Sequence, residues 1–126
     1  MIDSECLDTS AWLAYFDGEK SCDVVDADVL IITSVISLLE IKRKLIQQWR
    51  LPEHKAESLI QFVKDRAMLV DVTAELAETA ASNAIAHKLH AIDAVIYATA
   101  QTTNSRLITY DNDFRDLPDT IILRAG

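Results

Sequence analysis

Short apolar runs alternate along this chain with longer helix-like segments, and that alternation constrains the fold more than any other feature. The runs span residues 5–8, 29–33, 67–72, 106–109 and 120–123 and are rich in Val, Ile and Leu. Such brief, nearly unbroken apolar stretches are what strands buried on both faces look like. Between them lie helical patterns at 10–16 and 34–50, a restart after Leu51-Pro52, an Ala-rich stretch from an N-cap at Thr73 to about His90, and a last helix over 93–103. Pro52 suits a first helical turn, and Thr73 is a good N-cap. Strands interleaved with helices predict an α/β fold with a mainly parallel central sheet flanked by helices. No repeat or Pro/Ser-rich linker interrupts the 126 residues, so the reading is one domain over 1–126. Sheets of this kind bind ligands beyond the carboxyl ends of their strands. The polar residues at those ends therefore carry the functional question.

Asp8 follows the first run, in Leu7-Asp8-Thr9-Ser10, and Asp111 follows the fourth, in Thr109-Tyr110-Asp111-Asn112-Asp113. Asp is also a common cap and turn former, so neither residue marks a site by itself. Glu40 falls within the long helix. A step of 100° per residue puts Val35, Leu38, Leu39, Ile41, Leu45, Ile46 and Trp49 on an apolar stripe. Glu40 then points nearly opposite, with Ser37, Arg43, Lys44 and Gln47, where an i,i+4 pair with Lys44 would suffice to explain it. Asp93 opens a helix that is apolar on nearly every side, which marks that helix as buried. A carboxylate there either caps the helix or is held rigidly in a cleft.

Charge narrows the chemistry. The chain has 12 Lys and Arg against 20 Asp and Glu, a formal charge of −8. An acidic chain approaches phosphate poorly unless bound metal offsets its acids. Four carboxylates meeting in a small space could not all ionise without a counter-charge. Oxygen-only ligation suits Mg²⁺ or Mn²⁺. Asp8, Glu40, Asp93 and Asp111 are the candidates for that set.

Other chemistries are weaker. Cys6 and Cys22 lack a disulfide or zinc spacing and read as reduced, buried or idle thiols. His87 and His90 form an HxxH pair with no third zinc ligand at a suitable spacing. With two Gly and no Gly-x-Ser-x-Gly, neither a phosphate loop nor a serine-hydrolase elbow is available. The start MIDSEC is unlike a signal peptide, and no apolar stretch approaches the length of a membrane span. The expectation is a cytoplasmic protein without a membrane partner. Trp12 and Trp49 fall on apolar faces and read as core.

Four segments in order, LDTSAWLAYF, SVISLLEIKRKL, HAIDAVIYATA and LITYDNDF, resemble the PIN domain family, and within it the VapC-like toxins of prokaryotic type II toxin–antitoxin pairs. The resemblance runs from about Leu7 to Phe114. It implies a three-layer sandwich around a mainly parallel sheet. It assigns metal-binding and catalytic roles to Asp8, Glu40, Asp93 and Asp111, with Asp113 as an accessory ligand. Hydroxyl residues beside the site would be Ser10, Ser37 and Thr109. A Gly common shortly before the third acid is absent, and Lys88-Leu89-His90 stands there instead.

The resemblance further implies a Mg²⁺- or Mn²⁺-dependent endoribonuclease that hydrolyses phosphodiester bonds of single-stranded RNA, as the toxin of a pair. Arg43 and Lys44, beside Glu40, would contact flanking phosphates. A cognate antitoxin would be the protein partner, and the 34–50 and 53–65 helices would support a homodimer. The alternatives are a non-catalytic module that binds RNA or protein, and a nuclease of RNA maturation.

Overall fold

A computed structural model describes residues 4–126. Five strands form one sheet: β1 (Ser4–Leu7), β2 (Ile31–Ser34), β3 (Met68–Val70), β4 (Ser105–Thr109) and β5 (Thr120–Ile122). Their order is β3-β2-β1-β4-β5, and every neighbouring pair is parallel. The order reverses between β1 and β4. A crevice opens at such a switch point, outside the carboxyl ends of the two strands.

The strands bury both faces, as their composition predicts. Cys6, Ile32 and Leu107 enter one core cluster, while their neighbours Leu7, Ile31 and Ile108 enter the other. This is the period-2 alternation of a strand turned to two apolar layers. Helices α4 (Ala74–His87) and α5 (Ala91–Thr102) cover the first face. Helices α1 (Thr9–Phe16), α2 (Val35–Gln47) and α3 (Glu53–Arg66) cover the second. Three layers result. Both thiols are buried and free.

Two contacts fix the part of the sheet that carries the site. Glu5 and Arg106 are register partners on β1 and β4 and form a two-pronged ion pair, with Arg106 Nε 3.0 Å from Glu5 Oε2. A slip by one residue would turn every side chain of the strand to the wrong face. Trp12 is wholly buried, and its Nε1 donates to Thr33 Oγ1 at 2.8 Å, fastening α1 to β2. Truncating a core Trp to Ala costs about 3–5 kcal/mol.

Three elements differ from the sequence reading. The Ala-rich helix ends at His87 rather than near His90, because Lys88 adopts the left-handed conformation, φ 56° and ψ 42°. The next helix therefore begins at Ala91, and Asp93 lies within its first turn instead of opening it. A 3₁₀ segment at Lys20–Asp26 lacks the apolar periodicity that would reveal it in sequence. Among the described residues, no helix is long and apolar enough to cross a membrane.

Candidate metal centre

The site assembles at the switch point. Asp8 directly follows β1 and N-caps α1, its Oδ1 accepting from Ala11 N at 2.9 Å and from Ser10 Oγ at 2.7 Å. Its Oδ2 accepts from Thr109 Oγ1, the last residue of β4, at 2.5 Å. Ser10 reaches across the strand gap in the other direction as well, while Thr109 also braces its own segment. Ser10 Oγ accepts from Tyr110 N at 2.9 Å, and Thr109 Oγ1 accepts from Asp111 N at 2.9 Å. Two hydroxyls thus bind the end of β1 to the end of β4. The cross-strand register in which Leu7 faces Ile108 makes this geometry available.

Asp111 follows β4 and caps a short 3₁₀ turn, Asn112–Phe114, by accepting from Asp113 N at 2.9 Å. Asp93 enters from the first turn of α5. That helix is rigidly seated: Ala94, Ile96, Tyr97, Ala98, Thr99 and Ala100 are buried. Asp93, Asp111 and Asp113 each offer a carboxylate oxygen, and the three oxygens lie within 4.8 Å of one another. Asp113, which the resemblance makes an accessory, therefore stands in the tightest cluster. Asp8 lies beside that cluster, with three donors already on its oxygens.

Glu40 comes from the middle of α2, and its Oε1 accepts from Thr9 Oγ1 at 2.7 Å. The polar-face reading of this helix is corrected here. Its buried residues are Ser37, Ile41 and Leu45, whereas Leu39 is 57% exposed. Glu40 is partly buried beside that inner face and makes no ion pair with Lys44. Ser37 touches no carboxylate: its Oγ is buried without a hydrogen-bond partner among the described residues. Arg43 is exposed, Lys44 is partly so, and neither forms an ion pair among the described residues. Sequence reasoning missed Thr9. A hydroxyl next to Asp8 was visible, but nothing in the sequence links it to a residue 31 positions away.

The acids strain one another. Burial, joined by repulsion from Asp111, pushes the Asp8 carboxyl up to about 6 despite the lowering pull of Thr109, Ser10 and Ala11. Burial and then the charges of Asp111, Asp113, Asp8 and Glu40 push Asp93 up to about 6. Five carboxylates therefore act on one small volume, and two of them hold protons more tightly than free Asp does. An all-oxygen donor set of this density fits a hard divalent cation, which would supply the missing counter-charge. His87 and His90 join no potential metal group among the described residues.

A model of the PIN domain family matches residues 6–119. The chain belongs to the PIN domain family. Solved structures share this PIN domain's fold. A toxin–antitoxin complex from Klebsiella pneumoniae superposes with TM-score 0.76 at 21% identity, covering 94% of this chain and 96% of that one. VapBC2 from Rickettsia felis, solved with a DNA fragment from its promoter, gives 0.73 at 17% identity, covering 94% and 96%. The sarcin–ricin-loop-cleaving toxin VapC20 of Mycobacterium tuberculosis gives 0.69 at 22% identity, covering 88% and 92%. No curated protein sequence matches significantly.

Proposed function

We propose that this PIN domain is a Mg²⁺- or Mn²⁺-dependent endoribonuclease of single-stranded RNA and the toxin of a toxin–antitoxin pair. The observation that carries the proposal is the convergence of Asp93, Asp111 and Asp113, with Asp8 and Glu40 acting on the same volume. A scaffold would have no use for five carboxylates around one volume, where burial and neighbouring acids lift Asp8 and Asp93. Family membership and the toxin structures that share the fold support the same reading.

Asp93, Asp111 and Asp113 would hold the cation, with the open side of Asp8 Oδ2 as a further ligand. A bound divalent cation would offset the charge that builds up as phosphorus becomes pentacoordinate and would acidify water. The chain's residues do the rest. Asp8 is fixed by Ser10 and Thr109, which hold the orientation of its oxygens. Glu40, steadied by Thr9, orients the attacking water and accepts its proton. In-line attack then breaks the P–O3′ bond, and the departing 3′-oxygen takes a proton from solvent, leaving 5′-phosphate and 3′-hydroxyl ends. Arg43 and Lys44, on the Glu40 side, contact flanking phosphates.

Two partners complete the proposal. An antitoxin with a basic segment would complement the charge of −8. A second copy of the chain would pack on α2 and α3, where Leu39 of α2 stays exposed. The central test is cleavage of an RNA panel with Mn²⁺, with EDTA, and with Asp8→Asn and Asp93→Asn. The expected result is cleavage by the wild type in Mn²⁺ alone. Undiminished cleavage in either variant overturns the assignment.

A further inference from the structure

On its Asp113 side the acid cluster opens into a cavity of about 270 Å³, lined by Lys88, His90, Asn112, Asp113, Arg115 and Asp116 among others. We propose that this cavity seats the RNA phosphate next to the scissile one, gripped by Lys88 and Arg115. The proposal rests on the ribonuclease reading and adds to it a substrate subsite on the flank away from Arg43 and Lys44.

The disposition of the cations argues for it. In this acidic chain, several basic side chains already have work inside the protein. Lys42 pairs with Glu57 and Glu53, and Arg106 pairs with Glu5. Arg66 donates to the carbonyls of Val25, Ala27 and Val29. Arg124 donates to Asn112. The side chains of Lys88 and Arg115 make no hydrogen bond or ion pair among the described residues, yet both line one hollow. Of the two acids there, Asp113 belongs to the cluster whose charge a cation would offset, which leaves Asp116 alone against two full positive charges. Phosphate is the anion that two such side chains hold best next to a nuclease centre.

Lys88 reaches the cavity from a left-handed turn, φ 56° and ψ 42°, where Gly is the unstrained residue. Contiguity completes the geometry: Asp113 is at once a member of the acid triad and a wall of the cavity.

The experiment uses a fluorescent single-stranded oligoribonucleotide, with cleavage followed in Mn²⁺ and binding followed in Ca²⁺ over a range of salt. The variants are Lys88→Gln, Arg115→Gln, their double, Lys88→Gly, and Lys64→Gln on α3 as a control on the opposite face of the sheet. The double variant is expected to raise KM on the order of tenfold with kcat kept, since charge-assisted bonds are lost only in binding. The slope of log affinity against log salt should shrink by about 0.7 per cation removed. The rise in melting temperature on adding Mn²⁺ should stay as in the wild type. Lys88→Gly is expected to melt higher than the wild type and still to raise KM, whereas a purely structural lysine would move the melt alone. Wild-type KM and salt slope in the double variant overturn the subsite. Should the wild type bind RNA but cleave nothing in Mn²⁺, while the double variant shows the expected slope loss in binding, the nuclease reading falls and the phosphate site stands. Failure of the wild type to bind any oligonucleotide overturns the site as well.

Discussion

Thr9 Oγ1 donates to Glu40 Oε1 at 2.7 Å, joining the first residue of α1 to the middle of α2. The consequence is a division of labour among three successive residues. Asp8 turns its carboxylate to the β1–β4 crevice, Ser10 braces Asp8, and Thr9 reaches away to hold the acid of the neighbouring helix. Without that hydroxyl, Glu40 regains its rotamers and comes within reach of Lys44 one turn on. Thr9→Val is therefore expected to lower kcat about tenfold with little change in KM, while Thr9→Ser keeps most activity. Stability should fall by about 1 kcal/mol, the worth of one hydrogen bond. Steady-state kinetics of the three proteins decide it; an equal loss in Thr9→Ser would reject the hydroxyl as the cause.

Thr109 is a harsher case, because both partners are buried. Its hydroxyl donates to Asp8 and accepts from Asp111 N, so one side chain holds two of the acids' segments in place. Thr109→Val leaves a buried carboxylate oxygen and a backbone N–H short of partners. The expected loss is about 2–4 kcal/mol in urea unfolding at neutral pH. The loss should shrink in acid, where Asp8 is protonated and can donate a proton itself.

How much of this was legible in the sequence depends on what each residue advertises. The sheet was, because Cys6-Leu7, Ile31-Ile32 and Leu107-Ile108 are apolar on both faces, as only central strands are. The placement of Asp8 and Asp111 at the strand ends of the switch point was, because each breaks an apolar run there. The inner face of α2 was not. Hydropathy favoured Leu39 for burial and Ser37 for solvent, and packing did the opposite. A small residue lets a helix approach its neighbours closely, and no hydrophobic scale registers that. The Lys20–Asp26 turn was equally silent, since 3₁₀ segments lack a periodic apolar face. The turn at Lys88 shows the converse. The backbone is left-handed there whether or not Gly is present.

The raised acids make a pH prediction whose sign is unusual for carboxylates. Asp8 and Asp93 are both lifted from 3.8 to about 6 in the folded chain. Between those values the folded state holds protons that the unfolded chain has released. Stability rises with pH only where the unfolded state binds more protons, so here it falls as pH climbs through the window. For these two groups, the metal-free protein in EDTA is expected to melt higher near pH 5 than near pH 7.5. Asp93→Asn should flatten the dependence and stabilise the metal-free protein at neutral pH. A melting curve that rises steadily from pH 4 to 7.5, unchanged in Asp93→Asn, would contradict the upward shift that burial and the neighbouring acids give these two groups.

Metal linkage tests the rank of Asp113 against Asp8. A ligand that binds only the folded state stabilises it by about 2.7 kcal/mol at a hundredfold excess over its Kd. The wild type is therefore expected to melt several degrees higher in saturating Mn²⁺, most clearly at pH 7.5, above the raised values of about 6 for Asp8 and Asp93. Asp113 contributes an oxygen to the tight triad, and Asp8 already has three donors. Asp113→Asn should then cut the Mn²⁺ shift about as deeply as Asp111→Asn. Asp8→Asn should reduce it less, because Asp8 lies outside the tight triad, and should leave basal stability largely intact, because Asn keeps the Oδ1 that caps α1. Differential scanning fluorimetry of the three variants with and without Mn²⁺ separates the two effects. A full wild-type shift in Asp113→Asn would remove Asp113 from the ligand set and return the first place to Asp8.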